Sequence, residues 1–258
     1  MDSVDTYWAD RSALEWQVEL GVTDAICDAP VNRYEIPDKL AKPKVAETAT
    51  PATPPTPVAT PKDDAVTTAT ALAAAASDLA ALRMALDQFD GCMLKRGARN
   101  MIFGHGDPAA RVMIVGEAPD RDEDRTGRPF VGDAGTLLTR MFAAIDLNID
   151  TDLYLTAAMP WRVPTLPPKP EDMAMLAPFV QRHIALAQPD AVVVMGNTAC
   201  QMVLGRTGVS RMRGQWAEVL GRPAMPMLHP QSLLQNPAAK RDAWADLLTL
   251  RAKLDHKP

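Results

Sequence analysis

Short apolar runs alternate with amphipathic stretches from residue 111 onward. Contiguous apolar runs bounded by turn residues are typical of buried strands. The four runs are Arg111 to Val115, Leu153 to Thr156, Ala191 to Met195 and Ala224 to Leu228. Stretches with helical spacing follow them, near Ala134 to Ile145, Glu171 to Ala187, Thr198 to Leu204 and Ala238 to Leu254. This alternation predicts an α/β domain with a four-stranded parallel sheet and helices on both faces.

The predicted strands end at residues that carry chemical groups or special backbone freedom. Glu117 follows the first run, Ala157 the second, Asn197 the third and His229 the fourth. In open α/β sheets the ligand crevice lies beyond the carboxyl ends of the strands. We therefore expect these four positions to converge in one cleft.

The N-terminal part of the chain divides into segments of different composition. Residues 1–41 include Trp8, Trp16 and several aliphatic side chains, which predict a partly helical segment. Residues 42–70 are dominated by Pro, Thr and Ala and have too few large apolar side chains to offset the entropy of ordering, so we expect a disordered linker. The Ala-rich stretch from Ala71 to Phe89 has leucines at helical spacing and predicts the helix that opens a domain spanning 71–258.

Composition and charge narrow the class of protein. The chain has 258 residues, 47% of them hydrophobic, which is enough to bury a full core in one α/β domain. No run approaches the length of a membrane span, and Cys27, Cys92 and Cys200 are too scattered for a disulfide framework. We therefore expect a cytoplasmic protein without a membrane partner.

The net charge of −5 argues weakly against nucleic-acid binding, but a local basic stripe matters more than the total. Basic residues of the C-terminal third supply either such a stripe or an ordinary solvated face. They are Arg206, Arg211, Arg213, Arg222, Lys240 and Arg241.

Two glycine-containing motifs near the first strand are specific when they are taken together. Gly116-Glu117-Ala118-Pro119 is followed by a string that runs from Gly127-Arg128-Pro129-Phe130 through Val131-Gly132-Asp133-Ala134-Gly135 to Leu138. This order resembles the uracil-DNA glycosylase superfamily, in particular its family 4. The resemblance continues to His229-Pro230-Gln231-Ser232-Leu233-Leu234 and covers roughly Phe89 to Leu254. It implies a three-layer α/β/α fold for the domain at 71–258 and a monomeric enzyme that removes uracil or another deaminated base from DNA.

The resemblance also implies catalytic roles. Cleavage of an N-glycosidic bond builds positive character on the sugar and negative charge on the departing base. By resemblance, His229 stabilises the uracil anion and Glu117 positions or activates water. The base must leave the duplex to react, and Phe130 matches the family's stacking residue. Ala118, Asp120 and Ala157 match the remaining positions of the base pocket.

The loop after His229 resembles the family's DNA-penetrating loop, in which an apolar side chain fills the space that the flipped nucleotide leaves. Either Leu233 or Leu234 is that wedge, although both could equally be core leucines. Gln231 and Ser232 are expected to contact phosphate. Arg213 is a further expected DNA contact.

The chain departs from the family at the positions of an iron-sulfur cluster. Family 4 enzymes hold the cluster with four cysteines, and the aligned residues here are Phe89, Cys92, Trp161 and Leu176. One thiolate is too few to hold it, so we expect no metal and no cofactor. The apolar side chains are expected to take over its structural role.

The base pocket departs from the family as well. Ala157 stands where the family has the Asn that reads the polar edge of uracil, and Asp120 replaces a Gly. Asn197 could substitute for the missing amide or could be a helix N-cap, and Asp120 could repel the uracil anion or accept a proton from another base. The sequence therefore leaves three activities open: uracil excision, excision of hypoxanthine or xanthine, and recognition of damaged or abasic DNA without base release.

Overall fold

A mixed sheet lies at the centre of the computed structural model, which describes residues 61–256 and the side chains of 64–256. The predictions for residues 1–41 and for 42–60 concern residues outside this range. The sheet has six strands in the order β1-β3-β2-β4-β6-β5. They are β1 (His105–Gly106), β2 (Val112–Gly116), β3 (Leu153–Ala157), β4 (Ala191–Met195), β5 (Ala217–Val219) and β6 (Arg222–Met227).

The four central strands are parallel and correspond to the four predicted strands. The predicted count of four is too low, because β1 and β5 add antiparallel edges to the sheet. These edge strands have two and three residues, which is too short to show a period in the sequence. Alternate residues of the central strands enter two separate apolar clusters, one on each face. The three-layer α/β/α fold is therefore confirmed.

Ten α-helices surround the sheet in the described part of the chain, together with a 3₁₀ turn at Pro237–Ala239. They are α1 (Pro61–Ala75), α2 (Leu79–Gln88), α3 (Leu94–Gly97), α4 (Arg121–Thr126), α5 (Gly132–Ala143), α6 (Pro170–Ala187), α7 (Asn197–Leu204), α8 (Val209–Met212), α9 (Pro230–Gln235) and α10 (Lys240–Asp255). No helix among residues 61–256 is long and apolar enough to cross a membrane.

The start of the domain differs from the prediction. Residues 61–70, which were expected to belong to the linker, lie in α1, and the predicted helix from Ala71 to Phe89 is two helices. Ala69 and Ala73 on α1 are buried, and α1 packs along α6. Alanines pack closely against a neighbouring helix without large apolar side chains, so composition alone did not reveal this packing. The break falls before Asp78, whose side chain accepts a hydrogen bond from the backbone N–H of Ala81 at 2.8 Å and caps α2.

Candidate active site

The carboxyl ends of the four parallel strands bring the predicted residues together. Gly116 pairs with Ala157 across β2 and β3, and Met195 pairs with Met227 across β4 and β6. Glu117 directly follows β2, and His229 follows the end of β6 after one intervening residue. The expectation that these strand ends share one cleft agrees with this register.

Glu117 is anchored through one of its two carboxylate oxygens. Its Oε1 accepts a hydrogen bond of 2.9 Å from the backbone N–H of Thr198, in the first turn of α7. Gly196 precedes that helix with φ 95°, and a Cβ there would collide with the Glu117 carboxyl group. Since Oε2 has no hydrogen-bond partner within residues 61–256, it is available to a water molecule or a substrate atom.

His229 caps α9 with one ring nitrogen. Its Nδ1 accepts from the backbone N–H of Gln231 at 3.3 Å, which places the proton of a neutral ring on Nε2. Burial lowers the pKa of His229, although the carboxylates of Glu117 and Asp120 oppose this shift. The arrangement therefore presents a neutral imidazole with an Nε2–H donor.

Phe130 lies beside that imidazole. The two ring centroids are 5.4 Å apart with an interplanar angle of 20°, an offset stack. The Cζ end of the Phe130 ring lies against Gly116, where a Cβ would lie 2.7 Å from Cζ. The aromatic ring is thus fixed against the strand that carries Glu117.

Asp120 acts as a helix cap. Its Oδ1 accepts hydrogen bonds of 2.8 Å from the backbone N–H groups of Asp122 and Glu123, at the start of α4. The side chain is exposed. Helix capping is therefore a sufficient reason for a carboxylate at position 120. The predicted contacts of Asp120 and Ala118 with the flipped base stay predictions.

Sequence reasoning missed Glu123. Its Oε2 accepts from the backbone N–H of Asp120 at 2.8 Å and its Oε1 from that of Phe130 at 2.5 Å. The Asp-x-x-Glu spacing is a capping-box signal that could have been read from the sequence. The hydrogen bond from Phe130 to Glu123 depends on the fold and could not have been read from the sequence.

The two leucines after His229 have different environments. Leu233 is 1% exposed and belongs to the packed interior, whereas Leu234 is 37% exposed. Gln231 and Ser232 are exposed as well. Of the two predicted wedges, Leu234 alone is accessible, and the alternative that Leu233 is a core residue is supported.

Arg213 does not lie on an open basic surface. Its Nε and Nη2 donate to the carboxylate of Asp246 at 2.9 and 2.5 Å, and Nη2 also donates to the carbonyl oxygen of Asp242. Asp246 is 1% exposed. Arg213 therefore joins the segment before β5 to α10, and the structure gives the predicted DNA contact no support.

The positions that align with cluster cysteines form part of an apolar core. Phe89, Cys92, Trp161 and Leu176 are all at most 3% exposed and lie in one cluster. Burial raises the pKa of the Cys92 thiol. Within the described residues no three His, Cys, Asp or Glu side chains are grouped as metal ligands. This donor set does not fit a four-cysteine iron-sulfur cluster.

Asn197 is not the N-cap of α7, and its role as a substitute for the missing amide stays a prediction. It is the first residue of α7, while Gly196 is the N-cap. Its Oδ1 accepts from the backbone N–H groups of Gly208 and Val209 at 3.1 and 2.9 Å, so it caps α8 instead.

Ala157 ends β3 with a methyl group, which forms no hydrogen bond to a base.

Comparison with known proteins agrees with this geometry. The sequence profile of the Uracil DNA glycosylase superfamily matches residues 103–248. Type-4 uracil-DNA glycosylase of Thermotoga maritima is 34% identical over 149 residues, which cover 56% of this chain and 77% of the relative. The type-4 enzyme of Archaeoglobus fulgidus is 34% identical over 165 residues, or 60% of this chain and 82% of the relative. The type-5 uracil-DNA glycosylase of Thermus thermophilus is 31% identical over 122 residues, which cover 42% of this chain and 56% of the relative. The chain therefore belongs to the uracil-DNA glycosylase superfamily.

Proposed function

We propose that this protein is a DNA-repair glycosylase that flips uracil, or a related deaminated base, out of DNA and hydrolyses its N-glycosidic bond to leave an abasic site. The observation that carries the proposal is the placement of Glu117 after β2 and of His229 after β6 at one edge of the sheet, with the ring of Phe130 stacked on His229. The similarity to type-4 uracil-DNA glycosylases supports uracil as the base.

The site divides the chemistry between two side chains. As the glycosidic bond breaks, the electron pair moves to the base and the sugar gains oxocarbenium character. His229 donates its Nε2–H to the oxygen on which that charge collects, and a preorganised donor of this kind is worth about 10²–10³ in rate. Oε2 of Glu117 holds the water that adds to the sugar, while Oε1 stays bound to Thr198.

The DNA contacts follow from exposure. The exposed Leu234 enters the space that the flipped base leaves, and the exposed Gln231 and Ser232 contact phosphate. Phe130 is 7% exposed and stacks on the flipped base through the accessible part of its ring. Of the six basic residues named for the predicted stripe, four are exposed and form no ion pair in the described part of the chain, and these add backbone contacts. They are Arg206, Arg211, Lys240 and Arg241. The protein acts as a monomer in the cytoplasm.

A single-turnover assay tests the proposal. Excess protein is incubated with single- and double-stranded oligonucleotides that carry one uracil, and alkali then cleaves the abasic product. The matched control carries thymine at the same position. We expect cleavage at uracil alone, and tight binding without cleavage would contradict the proposed activity.

Ala157 favours a second candidate, a glycosylase for hypoxanthine or xanthine. Because Ala157 has only a methyl group, the hydrogen bonds that an Asn would make to the uracil edge are missing, which lowers discrimination between uracil and other bases by about 1–3 kcal/mol. The same assay with each of these bases opposite cytosine or thymine distinguishes the candidates. Excision of either base faster than uracil would replace the first proposal.

A further inference from the structure

We infer that Glu123 is a positioning residue that fixes the base-stacking ring of Phe130 beside His229. The inference rests on the proposed function, because it assigns Glu123 a task in the same site. Glu123 itself contacts neither His229 nor Glu117 through a hydrogen bond in the described residues. Its effect must therefore pass through Phe130.

The carboxylate of Glu123 joins two backbone positions that α4 separates. One oxygen accepts from the N–H of Asp120 at the start of α4, and the other accepts from the N–H of Phe130 after its end. The second bond is 2.5 Å long. Glu123 thus closes the loop that begins after β2 and holds it at the residue that presents the aromatic ring.

The backbone of Phe130 needs such a restraint. Its φ of 53° lies in the left-handed region, which is disfavoured for a residue with a Cβ and persists only where surrounding contacts impose it. The Cζ end of the ring lies against Gly116, and the ring stacks on His229. If the backbone relaxed, the ring would leave both contacts.

The position of Phe130 affects two functions at once. Its ring is the proposed platform for the base, and its stack with the imidazole limits the directions in which Nε2 of His229 can point. The ring also orients the extrahelical base that stacks on it. Loss of the Glu123 bond should therefore reduce cleavage more than it reduces DNA binding, since the expected phosphate contacts lie on other segments.

The burial of Glu123 disfavours its charged form. Burial raises the pKa of Glu123 to about 7, although its hydrogen bonds from Asp120 and Phe130 oppose that shift; the Asp120 carboxylate raises it further. No cation forms an ion pair with Glu123 within residues 61–256. The capping box of α4 uses only one oxygen of Glu123, and the bond from the other oxygen to Phe130 lies outside that box.

A double-mutant cycle tests the inference in the full chain. Glu123→Gln keeps the shape of the side chain but replaces one accepting oxygen with an amide NH₂ group, which cannot accept from one of the two backbone N–H donors. Phe130→Leu keeps apolar bulk and removes the aromatic face. The matched control is Asp122→Asn, an exposed residue of α4 whose carboxylate pairs with Arg125. Single-turnover rates on uracil DNA are measured with the maximal rate separated from the half-saturating protein concentration.

We expect Glu123→Gln to lower the maximal rate about tenfold, which is less than the loss of about 10²–10³ for removal of a donor, because the His229 donor is only misdirected. The half-saturating protein concentration should stay within about twofold, because phosphate contacts supply most of the affinity. In the Phe130→Leu background the same change should have no further effect, because coupled residues are not additive. The Asp122→Asn variant should match the wild type. Additive losses, or a loss confined to DNA binding, would overturn the inference.

A second measurement keeps this test separate from the test of base excision. In NMR hydrogen exchange of the free protein, the Phe130 amide should be protected in the wild type and in Asp122→Asn, and exchange at least tenfold faster in Glu123→Gln. If the wild type leaves uracil DNA intact but shows this exchange pattern, the proposed function is contradicted and the positioning role of Glu123 is retained. Equal protection of the Phe130 amide in all three proteins rejects the positioning role, whether or not uracil is excised.

Discussion

Two regions of the domain differ in how closely they resemble the family. At the positions that align with the cluster cysteines, three of four residues are apolar and the side chains pack together. At the carboxyl edge of the sheet, Glu117, Phe130 and His229 match the family's motifs and meet through directional contacts. Holding segments together needs only shape and burial, which many side chains supply. Stabilising a developing charge needs a donor at one place, which few supply.

The largest expected effect concerns the apolar region. Trp161→Ala should lower the free energy of unfolding by about 3–5 kcal/mol, because it deletes a large side chain that is 3% exposed. Urea unfolding followed by circular dichroism measures this loss. Trp244→Ala is the control, since Trp244 is 43% exposed and should cost less than half as much. A small loss at Trp161 would contradict the view that packing replaces the cluster.

The next effect concerns the polar edge. His229→Ala should lower the single-turnover rate by about 10²–10³ through loss of the donor to the leaving base. The free energy of unfolding and the affinity for uracil DNA should stay close to wild type, because the side chain is only partly buried. A variant that keeps its full cleavage rate would remove the histidine from the mechanism.

A buried polar pair inside the apolar layer sharpens the comparison. Tyr154 and His183 share a hydrogen bond of 2.9 Å, and burial lowers the pKa of His183 to about 4. The unfolded chain, with an ordinary histidine pKa, binds more protons between pH 6.5 and 4, so this contribution to stability is lost as the pH falls through that window. From pH 7 to pH 5 the loss should be about 2 kcal/mol.

His183→Gln removes the titration and keeps a polar partner for Tyr154. We expect its stability to fall less than that of the wild type over the same pH range in urea unfolding. Parallel losses in the two proteins would show that other groups govern the acid sensitivity.

The smallest effect concerns the base pocket. Ala157→Asn should raise uracil excision about tenfold, which corresponds to one recovered hydrogen bond of about 1.4 kcal/mol. Single-turnover rates on uracil, hypoxanthine and xanthine measure the change. A loss of stability and activity would indicate a pocket shaped for another base, where the amide is left without a partner. No change on any substrate would place residue 157 outside the pocket.

The sequence predicted the central strands and the order of the site residues because both depend on contiguous signals. Buried parallel strands appear as apolar runs, and strand ends follow from them. Features set by distant partners were not predictable: the burial of the α1 alanines against α6, and the pairing of Arg213 with Asp246. The choice between Leu233 and Leu234 likewise needed the packing of α9, since both are leucines in one short helix.

The ion pair between Arg213 and Asp246 has a consequence for the way this protein would respond to salt. A cation already neutralised by a buried carboxylate displaces no counterions from the DNA backbone. Its charge enters the formal total but not the salt dependence of association. The slope of that dependence is therefore set only by cations that reach the phosphates, and the exposed residues Arg206, Arg211, Lys240 and Arg241 are the ones proposed to do so.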